Sequence, residues 1–249
     1  MTKFIYPILF AIVVLFLWQF FCIAFNIPAY LLPKPTEIIL SLFKYKIEFL
    51  RASMVTFSVT LVAIMISVIA GSCISILIFF NKFLEKAISP YLIIIQIMPI
   101  ISIIPLLIIW FKSNIFVTLI ICASICSVFP IISAMSTGFK NTDKSLLMIF
   151  DIHQASKMQK LFRLYLPSSL PFFLNGLQIS SALALIGSVS AEFIAGTGGR
   201  NSGVAYLLLM AGYNLQTDKL FASLFVITIL GLVIHFIFRF IKRWALRNY

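Results

Sequence analysis

Long stretches without a charged side chain divide this chain of 249 residues. Each of them is long enough to cross a bilayer, and they lie between Lys3 and Lys34, Arg51 and Lys82, Lys86 and Lys112, Lys112 and Lys140, Arg163 and Glu192, and Lys219 and Arg239. A bilayer core needs about 20 apolar residues in helical form, because lipid cannot satisfy the hydrogen bonds of the backbone. The pattern predicts an all-α, polytopic membrane protein with about six transmembrane helices.

The composition excludes an ordinary soluble domain. Hydrophobic residues make up 62% of the chain and charged residues 10%, whereas soluble domains are near half apolar and a quarter charged. The predicted helices cover Phe4–Phe25, Met54–Phe80, Ile88–Phe111, Ile115–Phe139, Pro171–Ala191 and Leu220–Phe238. The first window exceeds the apolar run of a signal peptide, and no A-x-A-like site follows it. We therefore expect a retained helix there.

The distribution of Lys and Arg predicts the orientation. With the N-terminus in the cytoplasm, twelve of the 19 basic residues lie in inner segments and seven in outer segments. The positive-inside rule then places both termini in the cytoplasm. The net charge of +12 is explained by this topology, and no basic stripe interleaved with aromatic residues indicates nucleic-acid binding.

The predicted outer segments differ in character. After the first span, Pro28, Pro33 and Pro35 interrupt helix, and the apolar residues that follow indicate an amphipathic helix at the membrane surface. The short sequence FKSN predicts a tight turn between the third and fourth spans. The segment from Gly196 to Leu220 is the longest glycine-rich outer segment.

Polar side chains inside the predicted spans are candidates for a translocation path. The amides and the hydroxyl with this placement are Gln96, Ser102, Asn175 and Gln178. A polar group facing lipid is costly, so these side chains should face protein or water. Hydrogen bonding between helices is an equally good explanation. Pro99 and Pro105 in the third span predict a kink near Gln96 and Ser102.

No pattern of catalytic or metal-binding residues is present in the sequence. Phosphate-binding loops, nucleophile elbows and zinc-protease motifs are all missing, so we expect neither enzymatic activity nor a cofactor. The four cysteines, Cys22, Cys73, Cys122 and Cys126, all fall in spans. Cys122 and Cys126 are one helical turn apart but have no neighbouring His or Cys, so no metal site is predicted. Small, buried packing residues are the expected role of all four.

The segment from Asp143 to Pro171 is unlike its neighbours because it is basic, amphipathic and helical in pattern. Asp143 or Ser145 can cap a helix, and a polar break follows at 151–156. Pro167 is expected to end the second part, and Pro171 to begin the next span. An apolar helix at the cytoplasmic face needs a covering surface, which is either the lipid headgroups or a groove in a partner protein.

These features resemble the membrane permeases of bacterial ATP-binding-cassette importers, in the nitrate, sulfonate and taurine branch. That family has a cytoplasmic loop of pattern D-P-A-L-x-E-A-A-x-x-x-G-A-S that ends in L-P-x-x-L-P. The positions that match in this chain are Asp143, Leu146, Ala155, Ser156, Leu166, Pro167, Leu170 and Pro171. The segments LPKPTEI, MPIISIIPLLIIWF, FPIISAMSTGF, ALIGSVSAEF and the last span also resemble the family, in the same order.

The resemblance implies a single permease domain over residues 1–249, with a core at 53–245 and a coupling loop at 143–166. It implies a homodimer in the bacterial inner membrane, served by a separate ATPase subunit and an extracytoplasmic binding protein. The loop residues expected to contact the ATPase are Leu146, Ile149, Phe150, Ala155 and Ser156. The branch suggests a small anion, such as a sulfonate, nitrate or bicarbonate, or a pyrimidine precursor of thiamine.

The loop also departs from the family. Met148, Ile149 and Phe150 replace Glu-Ala-Ala, and Gln154 replaces a glycine. Two explanations stay open, a partner groove adapted to these side chains or a permease that has lost its function. Two other classes also stay open, namely a transporter independent of ATP and a membrane protein whose basic loop adheres to anionic lipid. High salt should weaken adhesion to lipid but not apolar docking to an ATPase.

Overall fold

The computed structural model describes residues 2–111, 114–196 and 202–247. The centre of the predicted FKSN turn, Lys112 and Ser113, lies outside the described residues. The same is true of residues 197–201 in the glycine-rich segment, which include Arg200.

The described part of the chain is helical and contains no strand. In chain order, the helices are α1 (Thr2–Ala24), α2 (Pro35–Lys44), α3 (Lys46–Phe80), α4 (Lys82–Ile97), α5 (Ile100–Trp110), α6 (Ile115–Lys140), α7 (Lys144–Ile152), α8 (Lys157–Lys160), α9 (Leu166–Ala195), α10 (Val204–Tyr213) and α11 (Thr217–Ala245). A π-helical segment, Leu161–Tyr165, joins α8 to α9. The all-α fold class predicted from the sequence is confirmed.

Four helices in the described residues are long and apolar enough to cross a membrane, and a fifth span results if a bent pair counts as one. They contain α3, α6, α9 and α11 and coincide with four of the predicted windows. The apolar stretch Leu9–Ala24 in α1 is shorter, so the predicted number of six is approximate. The polytopic architecture is confirmed.

The third predicted span is not one continuous helix. It divides into α4 and α5, whose axes differ by 97°. Met98 and Pro99 both have extended backbone angles, with ψ of 124° and 105°. A residue before proline is driven out of the helical region, and proline has no N–H to donate, so helix cannot pass through this pair unchanged. The predicted kink is therefore a complete break.

The chain divides into two compact units. The first comprises 1–55 and 196–230, and the second comprises 56–195 and 231–249. In the first unit, α2, the start of α3, α10 and the start of α11 bury a common apolar core around Ile38, Phe49 and Val204. The Trp18 ring of α1 packs against Phe221 at 5.9 Å between centroids. The amphipathic helix predicted after the first span is thus partly inserted into this core.

The second unit is built on close packing of α6 against α9. A Cβ added to Gly138 would lie 2.5 Å from the Cβ of Ser169, and one added to Gly176 would lie 2.5 Å from the Cβ of Ala134. These glycines therefore allow the two helices to approach more closely than larger residues would permit. Helix pairs in membranes commonly associate through such small residues, because lipid supplies no hydrophobic driving force.

Buried hydroxyl groups connect α3 to both helices of that pair. Ser67 on α3 shares a hydrogen bond of 2.7 Å with Ser127 on α6, and Thr60 shares one of 2.9 Å with Ser188 on α9. The hydroxyl of Ser180 donates to the carbonyl of Ser127 at 2.7 Å. Each such bond contributes about 0.6 kcal/mol in membrane proteins. Small polar residues thus hold the three helices in one arrangement.

Two sets of predictions made from the sequence are wrong. Pro167 does not end a helix and Pro171 does not begin one, because α9 includes both of them. The preceding π-helical segment, in which the N–H of Leu166 bonds to the carbonyl of Leu161, widens the turn that the proline ring would otherwise strike. Cys73 is exposed and Cys126 is only partly buried, so the expected buried packing role fails for these two residues and holds for Cys22 and Cys122.

Candidate functional site

A cavity of about 830 Å³ opens between α4, α5, α6 and α9 in the second unit. Its size falls in the range of small-molecule sites, roughly 300–1,000 Å³. Most of its lining is aliphatic or aromatic. The polar groups that reach it are the side chains of Gln96, Cys126, Ser133, Thr137 and Asn175. None of the lining residues is charged, so the cavity offers uncharged hydrogen-bonding groups within an apolar wall.

The structure brings together two of the four residues predicted to line a path. Gln96 lies on α4 and Asn175 on α9, and both face this cavity. Ser102 is an exposed residue of α5 and is not part of the lining. Gln178 is directed instead towards His235 on α11, with 3.4 Å between its amide nitrogen and Nε2 of the imidazole. Gln178 therefore makes a contact between helices, which is the other explanation that the sequence analysis gives for polar residues in the spans.

Three polar members of the cavity were missed by the sequence reasoning, and all of them lie on α6. Cys126, Ser133 and Thr137 recur at intervals of seven and four residues, which places them on one face of a helix. Pro130 lies on the same face and also lines the cavity. This spacing was available in the sequence. The sequence analysis assigned a packing role to Cys126 and did not consider Ser133 and Thr137.

A cationic side chain lies beside the cavity although it is not among the lining residues. The ammonium group of Lys242, near the end of α11, donates to the amide oxygen of Asn175 at 2.5 Å. This contact orients the amide of Asn175, because its oxygen is occupied and its NH₂ group is turned elsewhere. A movement of α11 would therefore alter this contact and, with it, the orientation of the Asn175 amide at the cavity.

Glu192 follows the last residue of the fifth predicted span and is 3% exposed. Its carboxylate accepts a hydrogen bond of 3.0 Å from the hydroxyl of Thr56 on α3. The residue does not line the cavity. Its carboxylate thus belongs to the polar contacts that join α3 to α9.

The second candidate surface is the segment between α6 and α9. Asp143 caps α7 by accepting a bond of 2.8 Å from the N–H of Ser145. Helix α7 leaves large apolar residues exposed: Leu146, Met148, Ile149 and Ile152. A depression of about 350 Å³ is lined by Ile149, Phe150, His153, Ala155, Gln159 and Arg163. Three of the five predicted contact residues, Ile149, Phe150 and Ala155, therefore share one concave surface.

The other two predicted contact residues occupy different positions. Leu146 is 43% exposed and lies on α7 outside the depression. Ser156 caps α8 through its hydroxyl, which accepts from the N–H of Gln159 at 3.3 Å, while the side chain of Gln159 accepts from the N–H of Ser156 at 2.7 Å. This reciprocal pair is a capping box, which fixes the start of α8. Ser156 thus has a local structural role.

Gln154 adopts a backbone conformation that glycine prefers. Its φ is 49°, in the left-handed region. Its N–H donates to the carbonyl of Asp151 at 2.9 Å, and the N–H of Ala155 donates to the carbonyl of Phe150 at 3.0 Å. These two bonds define a Schellman motif, with Gln154 at the position where glycine is usual. The family pattern of glycine at this position therefore has a direct structural reason.

Among the residues that the structure describes, no cluster of three or more His, Cys, Asp and Glu side chains could hold a metal ion. Nor does either candidate surface combine a nucleophile with a base. The arrangement can surround a small solute and can dock another macromolecule.

Comparison with known proteins agrees with this geometry. The family model for "Binding-protein-dependent transport system inner membrane component" matches residues 63–248. The chain is 28% identical over 228 residues to the formylaminopyrimidine transport permease protein ThiX of Halalkalibacterium halodurans, covering 91% of this chain and 89% of that one. It is 27% identical to a probable ABC transporter permease protein of Haemophilus influenzae, covering 92% of each.

Solved structures share the fold. The inward-facing MetNI methionine ABC transporter aligns with a TM-score of 0.65 at 19% identity, covering 78% of this chain and 94% of that one. An amino acid ABC transporter solved with histidines aligns with a TM-score of 0.66, also at 19% identity, covering 84% and 98%. The matched family model extends over most of the chain and includes both candidate surfaces. The chain therefore belongs to the binding-protein-dependent permeases of ABC importers.

Proposed function

We propose that this chain forms the translocation path of an ATP-driven importer and couples it to a separate ATPase subunit through residues 143–166. The observation that supports coupling is the exposed apolar face of α7 next to the depression formed by Ile149, Phe150 and Ala155. Exposed apolar surface of this kind is typical of a helix that docks into a groove. The ATPase supplies the energy, and the permease itself does not hydrolyse ATP.

The remaining parts of the proposal follow the family. The functional unit is a homodimer, an extracytoplasmic binding protein delivers the solute, and both termini lie in the cytoplasm. The excess of Lys and Arg in the inner segments supports the orientation.

We propose a pyrimidine precursor of thiamine as the first candidate solute. The cavity presents amide and hydroxyl groups in an apolar wall, which suits an uncharged heteroaromatic compound with several hydrogen-bonding atoms. ThiX, a relative that matches most of this chain, is named for transport of such a compound. A small anion is the second candidate, because the ammonium group of Lys242 lies against Asn175 at the cavity.

The coupling proposal is tested in the complete complex of permease, ATPase and binding protein. Replacing Phe150 and Ala155 by Asp would place carboxylates in the proposed interface. Burial of an unpaired carboxylate is costly, so we expect ATPase activity stimulated by solute-loaded binding protein to fall by at least about tenfold. The assay measures phosphate release in proteoliposomes with formylaminopyrimidine, and separately with taurine, as the solute.

Phe83→Asp with Ala87→Asp is the matched control. This pair has the same residue types and is exposed on α4, and Phe83 is 76% exposed. We expect its stimulated ATPase activity to stay within about twofold of the original, since exposed substitutions usually change stability little. Full stimulation in the Phe150 and Ala155 variant would overturn the assignment of the docking surface.

The path proposal has a separate test. In a background without the four native cysteines, Gln96→Cys and Asn175→Cys should react with a water-soluble thiol reagent, and the rates should change when ATP is bound. Leu174→Cys is a control, because Leu174 precedes Asn175 on α9 and is 5% exposed. Lack of reaction at both Gln96 and Asn175, with and without ATP, would exclude an aqueous path through this cavity.

A further inference from the structure

A cleft with charged lining residues lies in the first unit, at the junction of α2 and α3 and beside the start of α10. Its volume is about 610 Å³. Lys44, Lys46 and Arg51 line it together with Tyr45 and Tyr206. We call this group of five residues the basic cleft. None of its members belongs to the translocation cavity or to the coupling segment.

The positive charge of the basic cleft is not cancelled by its one acidic neighbour. Glu48 also lines the cleft, but both of its carboxylate oxygens accept from the ammonium group of Lys219, at 3.0 and 2.9 Å. Lys219 is held there by the ring of Tyr45, whose centroid is 4.3 Å from its Nζ. Glu48 is thus neutralised by a cation outside the cleft.

The three cations that remain have no acidic partner within the described residues. No carboxylate oxygen of that part of the chain lies within 4.0 Å of Lys44, Lys46 or Arg51. Three like charges that line one cleft repel one another. An oxyanion relieves this repulsion and satisfies several donors at once, because a guanidinium group and two ammonium groups can each bind a phosphate oxygen.

The surroundings of the basic cleft indicate where that oxyanion comes from. Helix α2 ends at Lys44, and its apolar side chains Ile39, Leu40 and Phe43 are 51%, 68% and 70% exposed. Ile47 on the first turn of α3 is 60% exposed. Cations that adjoin exposed apolar residues are typical of an element lying at the membrane surface, with the charges at the level of the headgroups.

We propose that the basic cleft binds the phosphate group of an anionic phospholipid, whose acyl chains lie along the exposed apolar residues of α2. A free oxyanion such as inorganic phosphate has the same chemistry at its charged end but gains nothing from Ile39, Leu40 and Phe43. The proposal does not depend on the transported solute or on coupling to an ATPase. A bound lipid at this site would anchor α2 and the start of α3 at the membrane surface.

Native mass spectrometry of the full chain tests the proposal. The chain is exchanged into micelles that contain dioleoylphosphatidylglycerol or dioleoylphosphatidylcholine, and retained lipid is counted. Each cation near an anionic headgroup contributes about fivefold to binding, so Lys44→Gln/Lys46→Gln/Arg51→Gln should reduce retention of phosphatidylglycerol by at least about tenfold after allowance for solvent exposure. Retention of phosphatidylcholine should change much less.

Lys82→Gln/Lys86→Gln/Arg243→Gln removes equal charge elsewhere and serves as the control. An equal loss of phosphatidylglycerol in the control would mean that overall charge alone governs retention, and this would overturn the proposal. Inorganic phosphate is the second probe. Displacement of the lipid by millimolar phosphate would assign the cleft to a soluble oxyanion and overturn the lipid source.

A conservative single variant tests the site in case the triple variant does not fold. Arg51→Lys keeps the charge but loses the planar fork that binds two oxygens of one phosphate. We expect its melting temperature to be unchanged and its retention of phosphatidylglycerol to fall several-fold. Unchanged retention in both Arg51→Lys and the triple variant would refute the site.

Discussion

Gln154→Gly should stabilise the turn between α7 and α8. Gln154 has φ of 49° and occupies the left-handed position of a Schellman motif. A residue with a Cβ pays roughly 1–2 kcal/mol in this conformation, and glycine pays almost none. Glycine gains freedom in the open state, which costs about 0.5–1 kcal/mol. The net expectation is a gain of about 0.5–1 kcal/mol in the free energy of local opening.

Hydrogen–deuterium exchange measures this opening, because the two backbone hydrogen bonds of the motif protect their N–H groups from exchange. The N–H groups of Gln154 and Ala155 donate to the carbonyls of Asp151 and Phe150 at 2.9 and 3.0 Å. With an increase of 0.5–1 kcal/mol, exchange at residues 154 and 155 should slow by about two- to fivefold. Gln154→Ala keeps the Cβ and should leave both rates nearly unchanged.

A second motif in the chain supplies a matched control. Leu215 has φ of 55°, and its N–H and that of Gln216 donate to the carbonyls of Gly212 and Ala211 at 3.1 and 2.9 Å. Leu215→Gly should slow exchange at 215 and 216 but not at 154 and 155. If Gln154→Gly left exchange unchanged or accelerated it, the inference that Gln154 strains this turn would be refuted.

Two further predictions concern the second unit. Gly138→Ala should lower the melting temperature in detergent by several degrees, since the new Cβ would lie 2.5 Å from the Cβ of Ser169 and overpacking costs about 1–3 kcal/mol. Gly212→Ala, whose nearest atom is 3.6 Å away, is the control, and equal effects of the two would contradict the close packing of α6 on α9. A chain that retains only Cys126, which lines the cavity, should react with a small thiol reagent, whereas one that retains only buried Cys122 should not. Equal labelling of the two would contradict the placement of the cavity.

The membrane spans could be predicted from the sequence because a span requires a sufficiently long run of residues without charge. A helix in lipid needs a long run of apolar residues, and α3, α6, α9 and α11 carry such runs. The break in the third span was predicted only as a kink. Pro99 indicates where helix is weakened, but the angle of 97° depends on packing that a local pattern does not contain.

The structure at Pro167 shows a different limit of prediction from sequence. Proline normally ends a helix, but a π-helical segment before it allows α9 to include it. Prediction of such a segment requires knowledge of the tertiary contacts that compensate for it. The same holds for the cavity, where Gln96 and Asn175 meet but Gln178 turns to His235. The side on which a polar residue lies in an apolar helix is decided by the neighbouring helices.

The predicted contact surface of the coupling segment was partly visible in the sequence. The family position and the apolar face of the loop predict Ile149, Phe150 and Ala155 as contact residues, and these three line one depression. The family position also predicts a contact at Ser156, but this residue forms the capping box with Gln159. A Ser followed three residues later by Gln is a helix-start signal, so the local role of Ser156 could have been predicted from that spacing.

The most direct test of the central claim is co-purification of this chain with the candidate ATPase subunits of its own genome. The tagged permease is extracted in mild detergent at moderate and at high salt, and phosphate release is measured. A complex that persists at high salt, with ATPase activity changed by the permease, is the result we expect from apolar docking of residues 143–166. Failure of every ATPase subunit to remain bound, at either salt concentration, would contradict the proposal that this permease is driven by ATP.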